Sequence, residues 1–239
     1  MAEHTVTTKR GFILYDAALT RHAHEELFSP RHWAKQEALR GTAGGRGQTW
    51  IVHSENGDWV LRHYRRGGLV AHFINDYYLW SGLEQTRPWR EWHLLDSLYK
   101  EGFPVPQPVA VQVMRRGPWY RGDLITRLIP DTRSLATALK ESSIESLPWV
   151  AIGACIRRFH DAGIYHADLN AHNILLDNTD KVYLLDFDRG ERRSPGVLWQ
   201  EANLGRLLRS LRKFIAPSVI ESTAWNLFLK GYQAGNPGN

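Results

Sequence analysis

Residues 165–189 constrain this chain more than any other stretch. They read Tyr-His-Ala-Asp-Leu-Asn-Ala-His-Asn-Ile-Leu-Leu-Asp, then a turn, then Val-Tyr-Leu-Leu-Asp-Phe-Asp-Arg. Asp168 and Asn173 stand five residues apart, and Asp186 closes an apolar run. A carboxylate, an amide and a second carboxylate at a strand end are the parts that metal-assisted phosphoryl transfer needs. One carboxylate orients the attacking hydroxyl and accepts its proton; the amide and the other carboxylate hold Mg²⁺ against the phosphates.

The spacing fits the kinase pattern H-x-D-x-x-x-x-N followed by D-F-x. Capping alone explains a lone Asp-Leu-Asn or Asp-Phe-Asp, because acidic residues crowd turns and helix starts. It does not explain both motifs bracketing the short strands 174–176 and 182–185 and a turn at 178–181. A zinc cluster of His160, His166 and His172 is disfavoured: spacing by six shares no helical face, and Cys155 has no second thiol to help.

The chain is long enough for one domain or two lobes, and its 43% apolar content supports a full core. Lys and Arg outnumber Asp and Glu by 30 to 25, which favours anionic partners such as phosphates, acidic sugars or anionic lipid. A single cysteine excludes an internal disulfide and fits a reducing compartment. No window has the length of a signal-peptide core or a membrane span, so a soluble or peripheral protein is expected. No basic-aromatic nucleic-acid motif appears.

Residues 1–40 read as polar and irregular. Gly-Thr-Ala-Gly-Gly-Arg-Gly-Gln at 41–48 then precedes two strands, 49–53 and 59–64, joined by a Ser-Glu-Asn-Gly turn. Gly44, Gly45 and Gly47 would let backbone N–H groups approach a polyphosphate. On the second strand Arg62 occupies the place of the phosphate-binding lysine of kinases, with a bidentate fork in place of a point charge. Apolar residues recur at helical spacing over 88–100, and Glu91 on that helix is the candidate partner of Arg62. Strands at 109–114 and 119–129 follow; chain order makes the backbone near Thr126 and Leu128 the candidate for the adenine edge. The whole predicts an α+β, two-lobed protein-kinase-like fold. An antiparallel-sheet N-lobe spans 1–129, a mainly helical C-lobe spans 130–239, and MgATP lies between them.

In the C-lobe a helix is expected over 132–140. Another should start with Ser146 as N-cap, with Trp149, Ile152, Gly153, Ile156 and Phe159 buried and Gly163 as its stop. Cys155 reads as a small core residue. After Asp186 only about a dozen residues precede the next helix, too few for a peptide-docking platform or a phosphorylation switch. That helix carries Leu204, Leu207, Leu208, Leu211, Phe214 and Ile215 opposed by Arg206, Arg209, Arg212 and Lys213. Those cations, with Arg189, Arg192 and Arg193, are candidates to meet anionic lipid head groups or an anionic sugar.

The block at 165–189 resembles the 3-deoxy-D-manno-octulosonic acid (Kdo) kinases of lipopolysaccharide core synthesis. Leu-Arg-His-Tyr-Arg-Arg-Gly-Gly at 61–68, Tyr-Leu-Trp-Ser-Gly-Leu at 78–83, Glu91 and Pro104-Val-Pro are similar as well. The resemblance implies ATP-dependent phosphorylation of the Kdo 4-hydroxyl on a lipid A precursor, by a peripheral enzyme at the cytoplasmic face of a Gram-negative inner membrane. It implies Asp168 as base, Asn173 and Asp186 as metal ligands, and Arg62 with Glu91 at the phosphates. The rivals are a heptose or aminoglycoside-type kinase of the same fold, a protein kinase disfavoured by Asn170 and the short segment after Asp186, and a pseudokinase scaffold. Oligomeric state is left open by the sequence.

Overall fold

A computed structural model of the chain describes residues 2–42, 49–65 and 76–234. It divides into two compact units, Met1–Tyr99 with Pro106–Leu128, and Lys100–Val105 with Ile129–Asn239. The architecture is α+β, with an antiparallel sheet in one unit and mostly helices in the other, as expected.

The first unit contains β1 (Glu3–Thr7), β2 (Gly11–Asp16), α1 (Pro30–Lys35), β3 (Leu39–Thr42), β4 (Thr49–Ser54), β5 (Gly57–His63), β6 (Tyr78–Leu79), α2 (Arg87–Lys100), β7 (Pro108–Arg116) and β8 (Trp119–Arg127). The strand order is β1-β2-β7-β8-β5-β4-β3, with β6 added to β8 and every pair antiparallel. β7 is buried from Pro108 to Val113, the mark of a central strand covered on both faces. On one side Ile13, Trp33, Trp59, Leu61, Val109 and Ile125 share a core. α2 buries Trp89, Trp92, Leu95 and Leu98. Its start packs on β8 at Gly122, where an added Cβ would lie 2.4 Å from Pro88 Cγ.

The second unit contains β9 (Thr132–Ser134), α3 (Leu135–Glu141), α4 (Trp149–Asp161), β10 (Ile164–Tyr165), β11 (Ile174–Asp177), β12 (Val182–Leu184), β13 (Glu191–Arg192), α5 (Val197–Leu211), α6 (Pro217–Val219) and α7 (Trp225–Ala234), the last two joined by a π turn over Ile220–Ala224. β11 lies between β9 and β12, and β10 pairs with β13. The stripe expected on α4 is buried, and Gly163 ends the segment at φ +71°. α4 and α7 touch through glycines. A Cβ on Gly153 would stand 2.0 Å from Phe228 O, and one on Gly231 1.9 Å from Val150 O.

Three expectations are corrected. Residues 1–40 are not irregular: β2 pairs with β7 from Gly11↔Met114 to Tyr15↔Ala110, and β1 pairs with β2 although all its residues are exposed. An edge strand held by its ladder carries no apolar alternation to read. The helix expected from Thr132 starts at Leu135, because Thr132–Ser134 pairs with β11 and Ser134 Oγ accepts from Thr137 N at 3.1 Å. Ser146 is not the cap of α4. Its hydroxyl donates to Ser143 O at 2.8 Å in a preceding turn, and the helix begins after Pro148.

The α4–α7 contact generates a test. Gly153→Ala forces a methyl against the Phe228 carbonyl, an overpacking cost of ~1–3 kcal/mol. For a chain of this size the thermal midpoint should fall by roughly 3–10 °C, read by circular dichroism. An unchanged midpoint would show that the two helices separate without strain.

Candidate active site

The site of the second unit is built around His166, which is 3% exposed. Its Nδ1 lies 3.2 Å from the backbone N of Asp168, and an N–H can only donate. Nδ1 is therefore the acceptor, and the proton sits on Nε2, which donates to Leu185 O at 2.8 Å. One neutral ring thus ties the residue carrying the candidate base to the residue just before the candidate metal carboxylate. Burial holds the His166 pKa below the ordinary histidine value, over the hydrogen bond to Leu185 and the charges of Asp186 and Asp168, which act the other way. Both carboxylates are thus felt by the same imidazole.

Around this ring each predicted residue has a defined setting. Asp168 is exposed, while its neighbours Leu169 and Ala171 are buried and anchor the loop. The Asn173 amide Nδ2 donates to Asp168 O at 2.9 Å, which leaves Oδ1 as the end available to a cation. Leu185 N donates to Asn173 O at 2.9 Å, a second tie between the two motifs. Asp186 itself has φ +60°, a left-handed conformation that Asp tolerates and β-branched residues do not.

The ring is also anchored from behind. Asn203 on α5 donates from Nδ2 to His166 O at 2.8 Å, and its Oδ1 faces His160 Nε2 at 3.3 Å. His160 on α4 takes Tyr232 OH from α7 on its Nδ1 at 2.7 Å. Ser210, two turns beyond Asn203, accepts from Ala171 N at 3.1 Å. These partners have no signature beyond a polar residue repeated seven positions on within an apolar stripe. Sequence reasoning named His166 in a motif without a role, and missed Asn203 and Ser210.

In the sheet unit, the pair expected between Arg62 and Glu91 is formed: Arg62 Nη2 lies 2.5 Å from Glu91 Oε2. Tyr64, not anticipated, joins it by donating its hydroxyl to Glu91 and accepting from Arg62 Nη2 at 3.0 Å. Glu91 is buried, and a carboxylate there needs that cation. Gly44, Gly45 and Gly47 lie outside the described residues. Thr126 sits inside the ladders of β8, and Leu128 N donates to Asp58 O at 2.8 Å, so its amide is already engaged. A further polar cluster lines a cavity of about 330 Å³ in this unit. There His63 contacts Asp123 at 2.6 Å and Asp76 at 3.4 Å, and Arg121 contacts Asp76 at 2.6 Å. Burial alone would lower His63, but the Asp123 hydrogen bond and the nearby carboxylates outweigh it and raise the net pKa.

The basic residues are less uniform than the sequence suggested. Arg192 pairs with Glu101, and Arg193 pairs with Glu191 at 2.6 Å while its guanidinium stacks 3.7 Å from the Tyr165 ring centroid. Arg209, Arg212 and Lys213 are exposed, whereas Arg206 is half-buried and does not belong to the outward face. Cys155 is partly buried, and burial pushes its thiol up to about 12, which disfavours the thiolate.

Comparison with known proteins decides the family. The lipopolysaccharide kinase (Kdo/WaaP) family matches residues 31–232. The chain belongs to this family. It is 44% identical over 211 residues to a 3-deoxy-D-manno-octulosonic acid kinase of Stenotrophomonas maltophilia (strain R551-3), covering 88% of this chain and 84% of that one. A protein of the same name from Xanthomonas euvesicatoria pv. vesicatoria (strain 85-10) is 45% identical over 203 residues, covering 85% and 81%. One from Vibrio parahaemolyticus serotype O3:K6 is 40% identical over 201 residues, covering 84% of each chain. The Kdo-kinase resemblance read from 165–189 is thus borne out, and the protein is a kinase.

For this family member the buried histidines predict an acid limit. His160 is held down to about 4, chiefly by burial, and His166 is lowered for the same reason. The unfolded chain binds these protons from about pH 6.5 downward and the folded chain does not, so stability is full above that pH and drains away as pH falls towards 4. For His160 alone the loss is on the order of 3 kcal/mol. Urea midpoints at pH 7.5 and 4.5 should show it, with a smaller loss in His160→Gln. Equal midpoints at the two pH values would contradict the neutral network.

Proposed function

We propose that this protein transfers the γ-phosphoryl group of ATP to the 4-hydroxyl of Kdo on a lipid A precursor, at the cytoplasmic face of the inner membrane. The observation that carries the reading is the His166 bridge, which ties the backbone of exposed Asp168 to the Leu185 carbonyl just before Asp186, with the Asn173 amide held on Asp168 O. Family membership supports the kinase activity, and the names of the relatives support the acceptor.

Asp168 accepts the hydroxyl proton as the acceptor oxygen attacks phosphorus in line. A new P–O bond forms, the bond to the β-phosphate oxygen breaks, and ADP departs with that electron pair. Asn173 Oδ1 and the Asp186 carboxylate offer oxygen donors, which suit a hard divalent cation. They would hold Mg²⁺, which when bound neutralises charge on the phosphate oxygens. In the sheet unit Arg62, fixed by Glu91 and Tyr64, is the residue for triphosphate oxygens. Exposed Arg209, Arg212 and Lys213 favour an anionic membrane surface, an attraction that salt weakens.

Incubation with MgATP and a Kdo-bearing lipid A precursor should add a single phosphate, read by mass spectrometry. Transfer to a heptose or an aminoglycoside instead would reject the acceptor. Asp168→Ala should lower kcat by ~10²–10⁴ while nucleotide binding is kept. Asp186→Asn should abolish turnover that depends on the divalent ion. Near-normal kcat in Asp168→Ala would remove Asp168 from the chemistry.

A further inference from the structure

At one end of the antiparallel sheet, β7 and β8 meet in a turn at Gly117 and Pro118, and β6 joins β8 there. Trp119 stands opposite Leu79 on β6 and opposite Arg116 on β7. Residues directly opposite on antiparallel strands share a face, so these three side chains form one row across three strands. Leu79 is 64% exposed and Trp119 36%, which leaves a leucine and an indole open side by side. Alternation puts Arg115 and Trp80 on the other face of the tip, where the guanidinium lies 4.8 Å from the ring centroid. The tip is held in shape: Trp80 N donates to Pro118 O at 2.8 Å, and Arg115 Nε to Gly117 O at 3.0 Å.

The β1–β2 turn abuts this tip, because Arg115 N donates to Arg10 O at 2.8 Å. Together the segments 8–11, 77–83 and 114–120 carry four cations, Lys9, Arg10, Arg115 and Arg116, and no carboxylate. All four are exposed, and no carboxylate among the described residues pairs with them.

We infer that this tip docks the enzyme on an anionic membrane. Leu79 and Trp119 enter the boundary between head groups and acyl chains, and the four cations meet lipid phosphates. The inference rests on the lipid-linked acceptor proposed above and names the surface by which the enzyme approaches it. An indole, apolar in body with one N–H, suits that boundary, and each cation beside an anionic leaflet adds attraction. A second copy of the chain is a poorer occupant, since a two-fold contact through the tip sets like cations against each other. Arg209, Arg212 and Lys213 have no exposed large apolar side chain within a turn of them along the chain, so they attract a membrane without inserting.

The test sediments the full chain with vesicles of phosphatidylcholine alone or mixed with phosphatidylglycerol. Wild type should bind the mixed vesicles, more weakly as salt rises, and the neutral ones about 10-fold less. Leu79→Ser with Trp119→Ser should weaken binding about 10- to 100-fold, and Arg115→Gln with Arg116→Gln about 10- to 30-fold. Arg209→Gln with Arg212→Gln should cost less than either. Circular dichroism, and kcat on detergent-dispersed Kdo-bearing precursor, should not change in the tip variants. Should a tip variant fold poorly, hydrogen exchange of wild type carries the same test: amides of 115–120 should slow when mixed vesicles are added.

Wild-type affinity in both tip variants overturns the inference, as does a loss confined to Arg209→Gln with Arg212→Gln. So does equal binding to neutral vesicles, no binding to mixed ones, or no slowing of exchange over 115–120. A vesicle-free dimer that the tip variants dissolve makes a second copy the occupant and overturns it too. If the tip binds vesicles while the Kdo-bearing precursor gains no phosphate, the acceptor reading alone fails.

Discussion

A single neutral imidazole, that of His166, sets the geometry on which the second unit's chemistry depends. Its two nitrogens point in opposite senses, one accepting from Asp168 N and one donating to Leu185 O. No other side chain offers a donor and an acceptor across a rigid ring at that separation, and an amide would place both on one end. Protonation would give Nδ1 a hydrogen aimed at another N–H, so the arrangement holds only while the ring is neutral. Burial enforces that state, and Phe187 packs 4.8 Å from the ring as part of the same enclosure.

Direction propagates outward from this ring. Because Asn203 gives its Nδ2 to His166 O, its Oδ1 must serve His160 Nε2, which leaves His160 Nδ1 to receive the Tyr232 hydroxyl. Each donor meets one acceptor, and four elements are locked in a chain with a single polarity. The sheet unit solves its positioning differently, with charge. There Glu91 is buried, and Arg62 and Tyr64 converge on it. A buried ion pair contributes little net stability, since desolvation offsets most of the attraction, but removing one partner leaves an uncompensated charge. Arg62 is thus confined to one orientation.

Much of this was legible from the residues. Asp168, Asn173 and Asp186 declared themselves by spacing, and Arg62 with Glu91 by strand alternation and helical placement. Gly163 announced a helix stop and adopts positive φ. What escaped notice was set by partners far along the chain. β1 has no apolar signal and exists because β2 pairs with β7, about a hundred residues away. Thr132–Ser134 looked helical until β11 offered a ladder. Asn203 and Ser210 carry no signal within the stripe pattern of α5, because periodicity locates a face and does not say which loop that face will grip.

The segment after Asp186 shows how the chain dispenses with a switch. Phe187 is buried against Phe159 and His166, and Gly190 N turns back to Phe187 O at 2.7 Å. β13 then pairs with β10, the two residues that lead into His166, and Arg193 N donates to Gly163 O at 2.7 Å. The close approach leaves no room for a side chain at Gly163, where a Cβ would meet Arg193 O at 2.1 Å. In a protein kinase, phosphorylation orders the corresponding stretch by supplying charge to an arginine cluster. Here backbone ladders and aromatic packing order it from the outset. A lipopolysaccharide kinase has no peptide platform to assemble, and the short, clamped connection makes a segment that is set once, by folding.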